Sequence, residues 1–94
     1  MAVIASFKKQ PVERLDYNVD YEPWLDSGDS LSEVTTSVSP AGELAVFSSA
    51  IIGKRIQLWI SDGVDKKTYK VTVTVTTSAG RIKQDEVSFS VKEY

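Results

Sequence analysis

An all-β sandwich is the fold class this sequence predicts, on three observations. Residues 65–80 alternate Tyr69, Val71, Val73 and Val75 with Lys70, Thr72, Thr74 and Thr76, the period of a strand with one face buried. Turn residues recur between further alternating runs, at Asp26-Ser27-Gly28-Asp29, Ser39-Pro40-Ala41-Gly42, Asp62-Gly63 and Ser78-Ala79-Gly80-Arg81. No stretch repeats apolar residues at helical spacing. With 94 residues there is room for one domain, small but within reach of a single core. An antiparallel sandwich of six to seven strands is expected.

Residues 1–10 carry no clear period, and Pro11 forbids a strand interior at that point. Residues 1–13 are therefore expected to form an N-terminal arm or edge segment, either frayed or docked on a partner, and residues 14–94 the sandwich. Residues 14–21 alternate cleanly, with Leu15, Tyr17, Val19 and Tyr21 on one side and Asp16, Asn18 and Asp20 on the other. Trp24 and Leu25 follow and are expected to cap one end of the core. Residues 31–38 place Ser32, Val34, Thr36 and Val38 on one face, and Pro40 and Gly42 end that strand. A short strand over 44–48 precedes a turn or bulge at 50–53. Residues 55–61 put Ile56, Leu58 and Ile60 inward and Arg55, Gln57, Trp59 and Ser61 outward. The last strand, 84–92, sets Val87, Phe89 and Val91 against the core.

The Gly63-to-Val71 segment sharpens the fold. A Tyr at the start of a penultimate strand is the corner of immunoglobulin-like and fibronectin-type-III-like sandwiches, its hydroxyl bonded to upstream backbone. Tyr69 is the candidate, and an ordinary tyrosine at the core edge is the alternative.

Composition excludes much chemistry. The chain has no Cys and no His, which removes disulfides, thiolate metal sites, Ser-His and Cys-His nucleophile pairs and an imidazole switch. Residues 1–7 lack a charged start and a cleavage site, so no secretory leader is expected. No apolar run approaches the ~20 residues a membrane span requires. A net charge of -2 argues against tracking of nucleic-acid phosphates. That charge is uneven: residues 1–47 hold three basic and eight acidic residues, net -5, and residues 48–94 hold eight and five, net +3.

Asp16-x-Asn18-x-Asp20 resembles the opening of a calcium loop. Tyr21 stands where that loop needs Gly, and Ser27 where it needs Glu, so a solvated strand face is the simpler reading. The pairs Asp62 with Asp65 and Asp85 with Glu86 sit at turns or strand starts, where acids are simply hydrophilic. No catalytic residue, metal ligand, cofactor or small-molecule substrate is assigned. Parity puts Trp59 outward beside Arg55 and Gln57, with Lys54 and Trp24 near, as a sugar-stacking platform or a protein-interface anchor. A bulge in the strand would instead turn Trp59 into the core.

Three blocks carry a resemblance. They are Phe7-Lys8-Lys9-Gln10-Pro11 leading into Leu15-Asp16-Tyr17-Asn18-Val19-Asp20-Tyr21-x-x-Trp24-Leu25, then Leu58-Trp59-Ile60-Ser61-Asp62-Gly63, then Tyr69-Lys70-Val71-Thr72 with Thr76-Thr77-Ser78-Ala79-Gly80-Arg81. Together they resemble the small tailed-bacteriophage virion proteins called fibre-tail adaptor or head-tail structural proteins. The chain departs from that pattern at Gln10, Tyr21 and Asp62, and residues 31–53 do not align. The resemblance implies a non-enzymatic structural protein, made in the bacterial cytoplasm and carried on the virion. It would contact other virion proteins and copies of itself in a ring, without nucleic acid or membrane, through Trp59, Arg55, Gln57, Trp24 and the arm residue Phe7. A carbohydrate-binding module stacking sugar on Trp59 or Trp24 is the competing reading.

Overall fold

The structure, a computed structural model, describes residues 3–93; the first two residues of the predicted arm and Tyr94 lie outside the described residues. Seven strands form among them: β1 (Val3–Lys9), β2 (Leu15–Asp20), β3 (Leu31–Ser39), β4 (Leu44–Ile52), β5 (Arg55–Asp62), β6 (Lys67–Thr77) and β7 (Ile82–Val91). They make two packed sheets, ordered β1-β7-β6-β3 and β2-β5-β4. Every pairing is antiparallel except β1 with β7, which run parallel with Phe7 opposite Phe89.

The central strands form for the reason their sequences suggest. Tyr69, Val71, Val73 and Val75 on β6, Val87 and Phe89 on β7, and Ile56, Leu58 and Ile60 on β5 are fully buried. The alternate positions of β6 and β7 carry hydroxyls and charges to the outer face of the larger sheet. At one end Phe7, Tyr17 and Phe89 form an aromatic cluster bridging both sheets, with ring centroids 4.9, 5.5 and 4.9 Å apart. Trp24 and Leu25, which follow β2, pack against the core, as the sequence suggests.

Four local expectations are corrected. β4 runs on to Ile52, because the chain turns in the two residues Gly53 and Lys54, with Gly53 at φ 61. A positive φ at that first turn position belongs to the primed turns that match strand twist. In β3 a register shift between Leu31 and Glu33 buries Leu31, while Ser32 stays exposed with its hydroxyl donating to the Thr76 carbonyl at 2.9 Å. Ser61, expected outward, is buried at 5% exposure opposite Ala45. The last strand starts at Ile82 rather than residue 84.

The Tyr69 corner is present. The Val64 N–H donates to the Tyr69 hydroxyl at 2.9 Å, and that hydroxyl donates to Glu43 at 2.7 Å, tying the β5–β6 turn to the end of the β3–β4 loop. Lys67 closes the group with an ion pair to Glu43 at 3.1 Å. Tyr69→Phe is expected to cost about 1 kcal/mol, the worth of a native hydrogen bond, read from a urea midpoint. Tyr17 makes the reverse case, because its buried hydroxyl has no hydrogen-bond partner among the described residues. Tyr17→Phe removes an unsatisfied polar group, so its midpoint is expected to stay level or rise.

Glu43 also gives a pH dependence. The Tyr69 hydrogen bond, then that from Lys67, hold its carboxyl below the usual carboxylate range. Since the folded value lies below the unfolded one, the unfolded chain binds more protons in the interval between them. The contribution is therefore complete above the unfolded value of about 4.3 and is lost as pH falls through the depressed folded value. Melting temperature measured against pH should show this acid limb, and Glu43→Gln should flatten it.

Candidate functional site

The outer face of the β2-β5-β4 sheet carries an aromatic pair that the fold leaves partly uncovered. Trp59 lies on β5 opposite Asp16 of β2, in line with Gln57 and Arg55 at alternate positions. It points outward and is half-buried. The reason is its neighbour: β4 bulges between Val46 and Ser48, which brings Phe47 and Ser48 together opposite Trp59. The Phe47 ring lies 6.2 Å from that of Trp59 and stays 48% exposed. The Arg14 guanidinium covers Phe47 at 4.9 Å from its centroid. Gln57 donates to Asp16 at 3.1 Å across β2 and β5, and Arg55 is exposed at the hairpin end.

The other two sequence-predicted residues stand elsewhere. Phe7 points inward, in the aromatic cluster with Tyr17 and Phe89. Trp24 packs edge-on against Tyr21 at 6.1 Å, with the Arg81 guanidinium stacked 4.3 Å from its centroid. Arg81 is held there by an ion pair with Asp26 at 3.1 Å. The company of Trp59 comes instead from Phe47 and, through it, Arg14, neither of which parity singled out. A signal existed in the run Ala45-Val46-Phe47, since three consecutive apolar residues on a strand must send at least one to the outer face.

A cleft of about 270 Å³ opens between β1 and β2, lined by Ala5, Asn18, Val19, Trp24, Lys83 and Asp85 among others. Asp85 corrects its reading as a hydrophilic residue at a strand start. It sits within β7 opposite Val73, 4% exposed, accepts from the Tyr21 hydroxyl at 3.2 Å and pairs with Lys83 at 3.3 Å. Burial, and then the neighbouring Asp85 carboxylate, push the Tyr21 hydroxyl well above its ordinary pKa. Both carboxylate oxygens are engaged, which suits a structural anchor rather than an acid or base. Asp16, Asn18 and Asp20 line the outer face of β2. Among the described residues no group of three or more His, Cys, Asp or Glu is placed to hold a metal ion.

Among solved structures the chain is similar to the crystal structure of Vibrionaceae Photobacterium sp. JT-ISH-224 2,6-sialyltransferase in a ternary complex with CMP and lactose. The TM-score is 0.54, with 13% identity over 96% of this chain. The chain spans only 18% of the length of that enzyme, and at this identity the likeness concerns the fold alone. The comparison with curated proteins found no match. The family described as Podophage GP4 fiber-tail adaptor protein gp77 matches residues 9–91, a span that contains β2 through β7. The chain is thus a structural phage protein and belongs to that fibre-tail adaptor family.

Proposed function

We propose that the chain is a non-enzymatic adaptor of a tailed-phage virion, docking on a neighbouring virion protein through the outer face of β2-β5-β4. The observation that supports this reading most is the Phe47–Trp59 pair with Arg14 over it, set among polar residues on that face. Aromatic residues and Arg dominate interface hot spots, and they do so where a partner can exclude water from them. Asp16, Gln57 and Arg55 form the polar rim such a patch needs. Several copies arranged around a ring would use the same face repeatedly, meeting a different surface on each neighbour. Synthesis in the bacterial cytoplasm before assembly fits a chain without cysteine.

Mass spectrometry of density-purified phage particles tests this reading. Peptides spanning 56–66 are expected at several copies per particle. Particles that contain capsid and tail proteins but lack this chain would overturn it. The carbohydrate-module reading would gain instead from quenching of Trp fluorescence on adding a sugar, abolished by Trp59→Ala or Trp24→Ala.

A further inference from the structure

β2 is an edge strand whose outer side is unpaired. Among the described residues, the backbone of Leu15–Asp20 pairs only with β5. In constant-type immunoglobulin sheets the first strand lies in the same sheet as the second, but here β1 pairs with β7 in the opposite sheet. The register identifies which backbone groups are free. Tyr21 donates its N–H to the Lys54 carbonyl at 2.9 Å, one step beyond the Asp20–Arg55 pair of the β2–β5 register. Ladder bonding alternates along an antiparallel pair, so Leu15, Tyr17 and Val19 bond to β5. Asp16, Asn18 and Asp20 send their N–H and C=O groups to the open edge.

The side chains on this edge specify a partner. Asp16 and Asp20 flank Asn18 on the outer face and Glu22 follows; among the described residues none of these three carboxylates is in an ion pair. On the inner side the edge borders the cleft, where Ala5 and Val19 offer apolar contact. We propose that this edge takes up an extended, cationic segment of another protein as an added antiparallel strand, with Lys or Arg opposite Asp16 and Asp20 and apolar side chains turned toward the cleft. The fitting pattern is cation, apolar, polar, apolar, cation.

Two copies of β2 do not satisfy that pattern. Antiparallel pairing about Asn18 would set Asp16 of one copy against Asp20 of the other, and like charges directly opposite are destabilising. Nor does the rest of this chain supply the segment. Its one pair of cations four residues apart is Lys66 and Lys70, with Lys67 at the first of the two apolar positions. The Trp59 face belongs to the same sheet and shares Asp16 with this edge, Trp59 standing opposite Asp16 in the β2–β5 register, so the variant that should not affect binding is taken from the opposite sheet.

The test is a titration of a synthetic peptide containing Lys-Val-Thr-Val-Lys against the folded chain, read by amide chemical shifts and a dissociation constant. Shift changes should concentrate at residues 15–20. The Asp16→Lys, Asp20→Lys double variant should bind about tenfold more weakly and instead accept a peptide with Glu at both ends. Asn18→Pro removes an outward N–H while leaving the β5 ladder, since Pro is tolerated where an edge N–H faces solvent, and should abolish binding. Thr72→Ala, on the outer face of the β1-β7-β6-β3 sheet, should leave the affinity unchanged. Absence of binding, shifts centred elsewhere, or affinity indifferent to both β2 variants in chains that retain their melting temperature would overturn the proposal.

Discussion

Replacing Phe89 with Ala is expected to destabilise the domain by about 3–5 kcal/mol, the usual range for removing a buried aromatic ring. Phe89 is fully buried on β7 and meets two further rings, Phe7 from β1 and Tyr17 from β2. The variant therefore loses both the transfer free energy of the ring and the contacts that join the two sheets at that end. Collapse around the gap is limited because Phe7 and Tyr17 are fixed by strands in different sheets. A small domain has only roughly 5–15 kcal/mol of net stability, so the urea midpoint should fall by a large fraction of its value. Phe89→Leu, which refills most of the space, should recover much of the loss. A midpoint for Phe89→Ala close to that of the parent would show that the ring cluster is not the link between sheets.

Gly63→Ala is expected to cost about 2–4 kcal/mol from two sources that add. Gly63 has φ 101, a backbone conformation unfavourable for a residue with a Cβ. A Cβ there would stand 2.8 Å from Cγ2 of Val91 and 3.1 Å from Cδ1 of Leu44. Both neighbours are buried core residues, so neither can swing into solvent to make room. Gly80 separates the two sources: its φ is 89, but a Cβ added there would meet nothing within 4 Å. Gly80→Ala should therefore show the backbone cost alone, and a Gly63→Ala midpoint no lower than that of Gly80→Ala would remove the packing contribution.

How far the fold can be read from the residues depends on whether the deciding contact is local. β6 is legible because its own Val and Thr alternation states which face is buried. The Tyr69 corner is legible for a similar reason, since Val64 is only five residues away. β1 hides its period because Lys9 is buried, where a charge would not be expected. Its ammonium is satisfied by the carbonyls of Gln10 at 2.7 Å and Pro11 at 3.3 Å, and burial lowers its pKa. The parallel pairing of β1 with β7 joins opposite ends of the chain, beyond the reach of any local pattern.

The candidate surface divides in the same way. Outward placement of Trp59, Gln57 and Arg55 follows from the period of β5 alone. Phe47 reaches Trp59 through a bulge that depends on pairing across β4 and β5, and the environment of Asp85 depends on Tyr21, 64 residues away. Each of these required the sheets to be assembled first.

Incorporation of a Phe47→Ser, Trp59→Ser double variant into phage particles tests the docking face most directly. The gene product is supplied in trans to a phage lacking its own copy, and the chain is counted in purified particles by mass spectrometry. Both rings lie on the outer face rather than in the core, so the double variant should melt close to the parent yet be depleted from particles about tenfold or more, as expected for the loss of two interface hot spots. A variant that folds normally and enters particles at the parental copy number would contradict this assignment, and the contact would then have to be sought on another face of the sandwich.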